Sequence, residues 1–169
     1  MISEDYIVGL TDGEGCFYVN IRPKDKKSKR SKEGVETHFY LKMSQEELPL
    51  LKKVKKFFGC GAIYFQNEKR LNHSSCYRFE INSQEDIHKI LIPFFDSHPL
   101  QSQKKRNYKI FRQIALMIKE KKHKTKRGLL RIRQLKSSMN LGLARCGKSA
   151  RRVTKSGEDR KLSICGESK

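Results

Sequence analysis

Two acidic side chains stand where helix electrostatics disfavour them. Asp12 and Glu14 follow a segment in which Tyr6, Ile7 and Leu10 recur with helical spacing, so both acids fall at the C-terminal end of a predicted helix. The helix dipole is negative there and opposes carboxylates. A hard cation would offset that cost, and phosphodiester hydrolysis uses such a cation held by few carboxylates. The residues alone leave another interpretation open, in which Asp12 hydrogen-bonds the turn and Glu14 faces solvent.

The same predicted helix carries two glycines on one face. Gly9 and Gly13 are four residues apart, and this spacing stacks them one turn above the other. Their missing side chains allow another backbone to approach very closely. We therefore expect this helix to pair tightly with a second helix.

A cluster of cations opens a later predicted helix. Lys104, Lys105 and Arg106 fill its first turn, where positive charge opposes the helix dipole. Contact with phosphate is one reason for tolerating such an arrangement. A solvated run of charge remains the alternative for Lys105 and Arg106.

The distribution of charge indicates a polyanionic partner. The 169 residues carry 38 Lys and Arg against 18 Asp and Glu, a net charge of +20. Residues 1–100 contribute +2 and residues 101–169 contribute +18, so the field favours nucleic acid or an anionic membrane. No apolar run approaches the roughly 20 residues of a membrane span, and no signal peptide is evident. Nucleic acid is the better interpretation, and the five widely spaced cysteines are expected to be reduced thiols.

Hydrophobic periodicity predicts the elements that position these residues. A short helix capped by Ser3 precedes two strands with alternating apolar residues, and a helix ending near Gly59 follows them. The same strand, strand, helix order then recurs, with the second helix broken or kinked at Pro93. Residues 24–36 are predicted to be a basic loop. Two more helices follow, from about Ser102 and from Gly128 to about Asn140.

At this point a resemblance becomes clear. Residues 7–15, Ile-Val-Gly-Leu-Thr-Asp-Gly-Glu-Gly, look like the nonapeptide of the LAGLIDADG homing endonucleases. The order of strands and helices also matches that family, as do a Gln after the second strand and a Lys opening the long helix. The similarity covers about Ser3 to Leu141. The departures from the family motif are Ile7, Thr11, Gly13 and Glu14, and Glu14 keeps the carboxylate.

The resemblance implies specific roles for these residues. The nonapeptide helix would form a dimer axis through Gly9 and Gly13, with Tyr6 and Leu10 beside them. Glu14 would bind Mg²⁺ next to the scissile phosphates, assisted by the carbonyl of Gly13, while Asp12 would serve the turn at the helix end. Of the other catalytic residues, the family pattern assigns ordering of the attacking water to Gln45 and contact with the scissile phosphate to Lys104.

The expected fold is α+β, in the order αββαββα, with a four-stranded antiparallel sheet that presents one face as a saddle to the DNA major groove. C-terminal helices complete a domain over residues 1–141, and residues 142–169 are expected to be a flexible basic tail. Strand alternation and the basic loops give the expected DNA-binding residues, about half of which an ordinary wet strand face would also explain. They are Tyr18, Asn20, Arg22, Lys24, His38, Tyr40, Lys42, Tyr64, Gln66, Arg70, Arg78 and Glu80.

A single nonapeptide in 169 residues implies a homodimer and a pseudo-palindromic site. The resemblance therefore predicts an Mg²⁺-dependent double-strand DNA endonuclease, encoded in a group I intron. Two alternatives on the same fold are a maturase that binds intron RNA and a DNA-binding regulator that does not cut. The motif begins at Ile7 with no transit peptide, so translation within a chloroplast or mitochondrion is expected, or else in a bacterial cytoplasm.

Overall fold

The computed structural model describes residues 2–24, 33–67 and 74–139. The first half contains one helix, two strands, a 3₁₀ turn, a second helix and two further strands: α1 (Glu4–Glu14), β1 (Gly15–Arg22), β2 (Gly34–Ser44), the turn (Gln45–Glu47), α2 (Leu48–Phe58), β3 (Ala62–Gln66) and β4 (Cys76–Ile81). Helical segments make up the rest: α3 (Gln84–Asp86), a π-helical segment (Ile87–Leu91), α4 (Ile92–Ser97), α5 (Lys104–Lys119), a 3₁₀ turn (Lys122–Lys124) and α6 (Lys126–Met139). The predicted α+β class and element order are confirmed.

The four strands form one antiparallel sheet in the order β1-β2-β4-β3. Gly15 of β1 lies opposite Leu41 of β2, and Phe39 of β2 lies opposite Ile81 of β4. Strand β3 completes the sheet, with Ile63 opposite Phe79. Because side chains alternate across a strand, this register fixes which residues point toward the helices and which form the opposite face.

Aromatic side chains hold the helices against the inner face of the sheet. The ring of Phe17 lies 5.2 Å from those of Phe39 and Phe111 and 5.5 Å from that of Phe95. Each fully buried Phe contributes about 1.5–3 kcal/mol of hydrophobic free energy. Helix α5, which contributes Phe111 and Tyr108 to this cluster, is therefore fixed directly beneath β1.

Strand β2 begins earlier than the sequence analysis predicted. Its first residue is Gly34, within the predicted basic loop, and Val35 and Thr37 are buried in continuation of the inward face. The hydroxyl of Thr37 accepts a hydrogen bond of 2.8 Å from the Gln84 side chain. This hydrogen bond satisfies the buried hydroxyl of Thr37. Thr37 can therefore continue the inward face of β2 although its side chain is polar.

The predicted interruption at Pro93 takes the form of a π-helical segment. Ser83 caps α3 by accepting a hydrogen bond from the Asp86 backbone N–H at 3.4 Å. The chain then remains helical through Ile87–Leu91 and into α4, where Pro93 occupies the first turn. Proline has no N–H to donate within a helix, and the wider π-turn that precedes it changes the local hydrogen bonding instead of ending the helix.

Helix α6 packs its apolar face on the rest of the domain. Ile132, Leu135 and Met139 are buried, at the i, i+3 and i+7 spacing of an amphipathic helix. None of the described helices has the length and apolar character needed to cross a membrane. The predicted boundary at Leu141 and the basic tail lie outside the described residues.

Candidate catalytic centre and nucleic-acid interface

Helix α1 passes directly into strand β1, with no residue between Glu14 and Gly15. The Gly15 N–H donates to the Thr11 carbonyl, and a Cβ at Gly15 would lie 2.6 Å from the Thr11 side chain. Only a residue without a side chain fits this contact. The junction therefore places the exposed Glu14 at the end of the sheet.

Lys104 supplies a cation to the negative end of α1. Its Nζ donates to the Gly13 carbonyl at 2.6 Å and to the Thr11 carbonyl at 3.1 Å. Burial lowers the pKa of the Lys104 ammonium below its ordinary value, although the nearby Glu14 carboxylate opposes the shift. The sequence analysis expected an arriving cation at this helix end and assigned Lys104 to a phosphate, and the structure places the Lys104 ammonium on the helix carbonyls. The Gly13 carbonyl, expected to assist a metal, is engaged by this ammonium.

Asp12 has a different partner set from Glu14. Its carboxylate accepts hydrogen bonds from the Gln101 N–H at 2.8 Å, the Ser102 N–H at 3.2 Å and the Ser102 hydroxyl at 2.6 Å. Partial burial opposes ionisation, but these bonds outweigh it and lower the pKa of the Asp12 carboxyl below its ordinary value. Asp12 thus fastens α1 to the segment that leads into Lys104, instead of serving only its own helix end.

Glu14 contrasts with Asp12, because its exposed carboxylate accepts no hydrogen bond from the part of the chain that the structure describes. The same described ranges contain no cluster of three or more His, Cys, Asp or Glu that could hold a metal ion. Glu14 therefore offers a carboxylate that is free of hydrogen bonds from the described residues, beside the cationic Lys104. This donor set fits Mg²⁺, which is commonly bound through one or two carboxylates together with water and substrate phosphates.

Gln45 begins the 3₁₀ turn after β2 and is exposed. Since Gly15 pairs with Leu41, Gln45 lies four residues past that pair, or roughly 13 Å of extended chain. Within the described residues no hydrogen bond joins it to Glu14 or Lys104. The structure therefore brings Lys104 to the residue beside Glu14 and places Gln45 at the same end of the sheet, without a hydrogen bond to either.

The predicted DNA-binding residues of the strands share the outer face of the sheet. Tyr18 lies opposite His38, Tyr40 opposite Glu80, and Lys42 opposite Arg78, so the predicted strand register is confirmed. Strand β3 adds Tyr64 opposite the same Arg78, and Asn20, Arg22 and Gln66 follow from the same alternation. Lys24 is exposed just past β1. Arg70 lies outside the described residues.

Ion pairs and ring contacts order much of this face. The Arg22 Nε lies 3.0 Å from the Glu36 carboxylate, without the alignment of a hydrogen bond, and the Asn20 amide donates to Glu36 at 3.3 Å. Arg78 pairs with Glu80 at 2.7 Å and lies 5.3 Å from the centre of the Tyr40 ring. The outer face therefore presents cations that are already held in place.

Tyr40 and Glu80 differ from the free contacts that the sequence analysis expected. Burial, and then a hydrogen bond with Cys16, raise the pKa of Tyr40 to about 12, so its phenol remains a protonated donor at neutral pH. Glu80 is only 6% exposed, with two cationic or cation-capable partners on its carboxylate. Its carboxylate is not free on the surface as a direct contact would require.

Sequence reasoning missed two participants on this face. Glu36 was assigned to a loop, although the Val35, Thr37 and Phe39 alternation in the sequence signalled that the strand started earlier. Lys136 of α6 lies 5.7 Å from the centre of the Tyr18 ring. Nothing in a helical pattern indicates that contact, because it depends on how α6 packs beside β1.

The fold and the site define an α+β protein with a polar, cation-bearing sheet face and an acidic helix terminus at one end of it. A family model described as LAGLIDADG endonuclease matches residues 7–115. The chain belongs to the LAGLIDADG endonuclease family.

Relatives and solved structures agree with this assignment. "Probable intron-encoded endonuclease 2" of Neurospora crassa is 31% identical over 135 residues, 80% of this chain and 27% of its own length. The chain spans about a quarter of the length of the first curated relatives that it matches. The crystal structure of the homing endonuclease I-TnaI is 32% identical with a TM-score of 0.70, covering 89% of this chain and 99% of its own. I-SmaMI, solved bound to uncleaved DNA target in the presence of calcium ions, is 31% identical with a TM-score of 0.72. The match covers 98% of this chain and 54% of the I-SmaMI chain.

Proposed function

We propose that the protein is a site-specific double-strand DNA endonuclease that hydrolyses phosphodiesters at a long pseudo-palindromic site. The observation that carries this proposal is the placement of a free carboxylate, Glu14, beside Lys104 at the end of a sheet face bearing Arg22 and Arg78. A carboxylate and an ammonium at one edge of a base-reading surface are suited to act on a phosphate of the DNA held there.

Each residue of the centre has a proposed part. Glu14 would hold Mg²⁺, which when bound supplies Lewis-acid polarisation of the phosphate and a more acidic water. Lys104 would donate to a phosphate oxygen, since its ammonium uses two of its three N–H groups on the Thr11 and Gly13 carbonyls and has one donor left. Gln45, which lies at the same end of the sheet as Glu14, would order the attacking water. Asp12 holds the loop that delivers Lys104.

We also propose a homodimer built on α1. Gly9 and Gly13 are exposed, and a Cβ added to either would meet nothing within 4 Å. Glycine costs about 1 kcal/mol relative to alanine inside a helix, and no contact among the described residues accounts for that cost. Close approach of a second α1 accounts for it, with the exposed Tyr6 and partly buried Leu10 flanking the contact.

The outer sheet face would read the half-sites in the major groove. An Arg on such a face commonly donates two hydrogen bonds to guanine O6 and N7, and Arg22 and Arg78 are both partly exposed for this purpose. The proposed contacts also include Tyr18, Asn20, Lys24, His38, Tyr40, Lys42, Tyr64, Gln66 and Arg70.

A maturase that binds intron RNA is the second candidate. The turn between α5 and α6 carries exposed cations, Lys119, Lys121, Lys122, Lys124 and Lys126, in the helical layer and not on the sheet face. That charge is available to a polyanion other than the DNA under the sheet. The names of relatives from Neurospora crassa describe them as intron-encoded, which supports an intron origin for this chain. We propose a group I intron and translation in an organelle or a bacterium.

One experiment separates the candidates. Purified protein is incubated with a randomised DNA library with and without Mg²⁺, and the cut ends are sequenced. The endonuclease proposal expects Mg²⁺-dependent cuts at one family of related, two-fold symmetric sites. Binding of such sites without any cutting would support the regulator, and binding of folded intron RNA alone would support the maturase.

A further inference from the structure

Glu80 is the one charged side chain fully buried among the described residues, and it lies on the outer face of the sheet. Taking a carboxylate out of water is costly unless it is paired and hydrogen-bonded. A negative charge is also unfavourable on a surface that receives a polyanion. Glu80 is therefore not an ordinary polar residue that faces solvent, and its position needs another explanation.

Two neighbours satisfy this carboxylate. Glu80 Oε1 lies 2.5 Å from the His38 Nδ1, and Glu80 Oε2 lies 2.7 Å from an Arg78 Nη2. Each oxygen thus has its own partner, one from β2 and one from β4. Because the carboxylate is also buried, it can influence DNA through His38 and Arg78 and not by direct contact.

Arg78 is held from two directions. Glu80 engages one terminal nitrogen, while the guanidinium carbon lies 5.3 Å from the centre of the Tyr40 ring. Its Nε is buried and has no hydrogen-bond partner among the described residues, and the side chain is 31% exposed. The guanidinium is therefore fixed in direction while part of its donor set stays open.

His38 continues the arrangement across the sheet. Its Nε2 lies 3.9 Å from Glu36, whose carboxylate also holds Arg22 and Asn20. Two carboxylates thus lie at opposite ends of one imidazole, and each also pairs with an arginine. We name the five residues Arg22, Glu36, His38, Glu80 and Arg78 the charge ladder.

We propose that Glu80 is a positioning residue for base recognition, which holds Arg78 and His38 in the orientation that reads one part of each half-site. This inference rests on the proposed function. A free Arg side chain loses substantial rotamer entropy when a partner immobilises it. Ordering it in advance lowers that loss on binding and disfavours wrong bases, because the held guanidinium cannot turn toward them.

The test uses the Glu80→Gln variant, which keeps the size of the side chain and removes its charge. Relative affinities are measured for the intact protein against every single-base variant of the site selected by the wild type. We expect base preference to weaken about tenfold at the pair read by Arg78, the scale of one bidentate contact. Affinity for unrelated DNA should stay the same or rise, since a negative charge has been removed.

A double-mutant comparison separates positioning from general support of the fold. At the base pair read by Arg78, Glu80→Gln combined with Arg78→Ala should show the same preference as Arg78→Ala alone, because Glu80 acts there through the arginine. Glu85→Gln is the matched control, since it removes the same charge from an exposed pair with Lys89, and its profile should equal the wild-type profile. If Glu80→Gln does not fold, Glu80→Asp takes its place, with the loss again expected at the same base pair.

A wild-type profile in Glu80→Gln would overturn the inference, as would an equal loss of affinity at every position. Either result leaves the endonuclease proposal intact, because the wild-type protein has by then selected and cut a site. Failure of the wild type to select any site would instead count against the proposed function.

Discussion

The carboxylate at the end of α1 and the carboxylate at the centre of the outer sheet face have opposite environments. Glu14 is exposed and accepts no hydrogen bond within the described residues, with Lys104 as its nearby cation. Glu80 is buried and each of its oxygens has a partner. A carboxylate without hydrogen-bond partners, such as Glu14, can bind a cation that arrives with the substrate. A buried and paired carboxylate, such as Glu80, instead holds the side chains around it in place. The same side-chain chemistry therefore suits turnover in one region and recognition in the other.

The largest expected effect tests the free carboxylate. Glu14→Gln should lower the cleavage rate by at least about 10³-fold, because the metal's several kcal/mol of transition-state stabilisation is lost. Binding to the site should change only a few-fold, since the sheet contacts remain. Cleavage assays with and without Mg²⁺, beside gel-shift titrations, measure both quantities.

Asp5→Asn is the control for that prediction, because it removes an exposed acid from the other end of α1. It should cut at the wild-type rate. Brisk Mg²⁺-dependent cutting by Glu14→Gln would show that the catalytic carboxylate lies elsewhere.

A second prediction tests whether α1 brings two such centres together. Gly9→Leu should weaken dimerisation by about 5-fold to 150-fold, the effect of overpacking a close contact by roughly 1–3 kcal/mol. Leucine raises intrinsic helix propensity over glycine, and a Cβ at this position would meet nothing within 4 Å among the described residues, so the monomer should remain folded. Analytical ultracentrifugation measures the dimer dissociation constant, and the value for Gly9→Ala is expected to lie between those of the wild type and Gly9→Leu. An undiminished dimer would place the interface on another surface.

The third prediction concerns the arginines of the recognition region. Arg78→Ala should cost roughly 1–3 kcal/mol at one base pair in each half-site and relax preference there, with a similar local effect for Arg22→Ala at another pair. The salt dependence of binding should barely change, because base contacts release few counterions. Lys89→Ala removes the same charge far from the strands and should leave preference unchanged. A uniform loss at all positions would assign both arginines to phosphates.

The smallest effect is expected from the acid that supports the catalytic region without joining it. Asp12→Asn should lower the free energy of unfolding by about 1 kcal/mol, as for loss of a capping carboxylate. The folded-state pKa of Asp12 is lowered from 3.8, so its stabilisation is present above pH 4 and is lost as the pH falls below that value. The wild type and the variant should therefore converge in stability in acid. Urea titrations at pH 7 and pH 3 test this, and an equal difference at both values would contradict it.

Much of the architecture followed from periodicity, because the inner and outer residues of β1, β2 and β4 obey a strict alternation. The catalytic assignment depended on the resemblance in residues 7–15, with physical support from the unfavourable position of Glu14. Family membership confirms the resemblance, and the individual roles stay predictions.

Other features were beyond reach of the sequence for a physical reason. Lys104 contacts the Gly13 carbonyl across 91 residues, and Asp12 contacts Ser102 across 90. Periodicity describes neighbours along one element and carries no information about such distant pairs. The burial of Glu80 likewise depends on the neighbouring strands β2 and β3, because the pattern of β4 alone predicts an exposed polar residue on the outer face.

The direct passage of α1 into β1 has a consequence for how this protein can change its target. One residue inserted between Glu14 and Gly15 would rotate the helix by about 100° relative to the strand, or else turn every side chain of β1 to the opposite face. In the proposed function, the junction would fix the spacing between the phosphate that is cut and the bases that are read. Substitutions on the outer sheet face would then change which DNA bases are recognised, while the distance from those bases to the cleaved phosphate would stay the same.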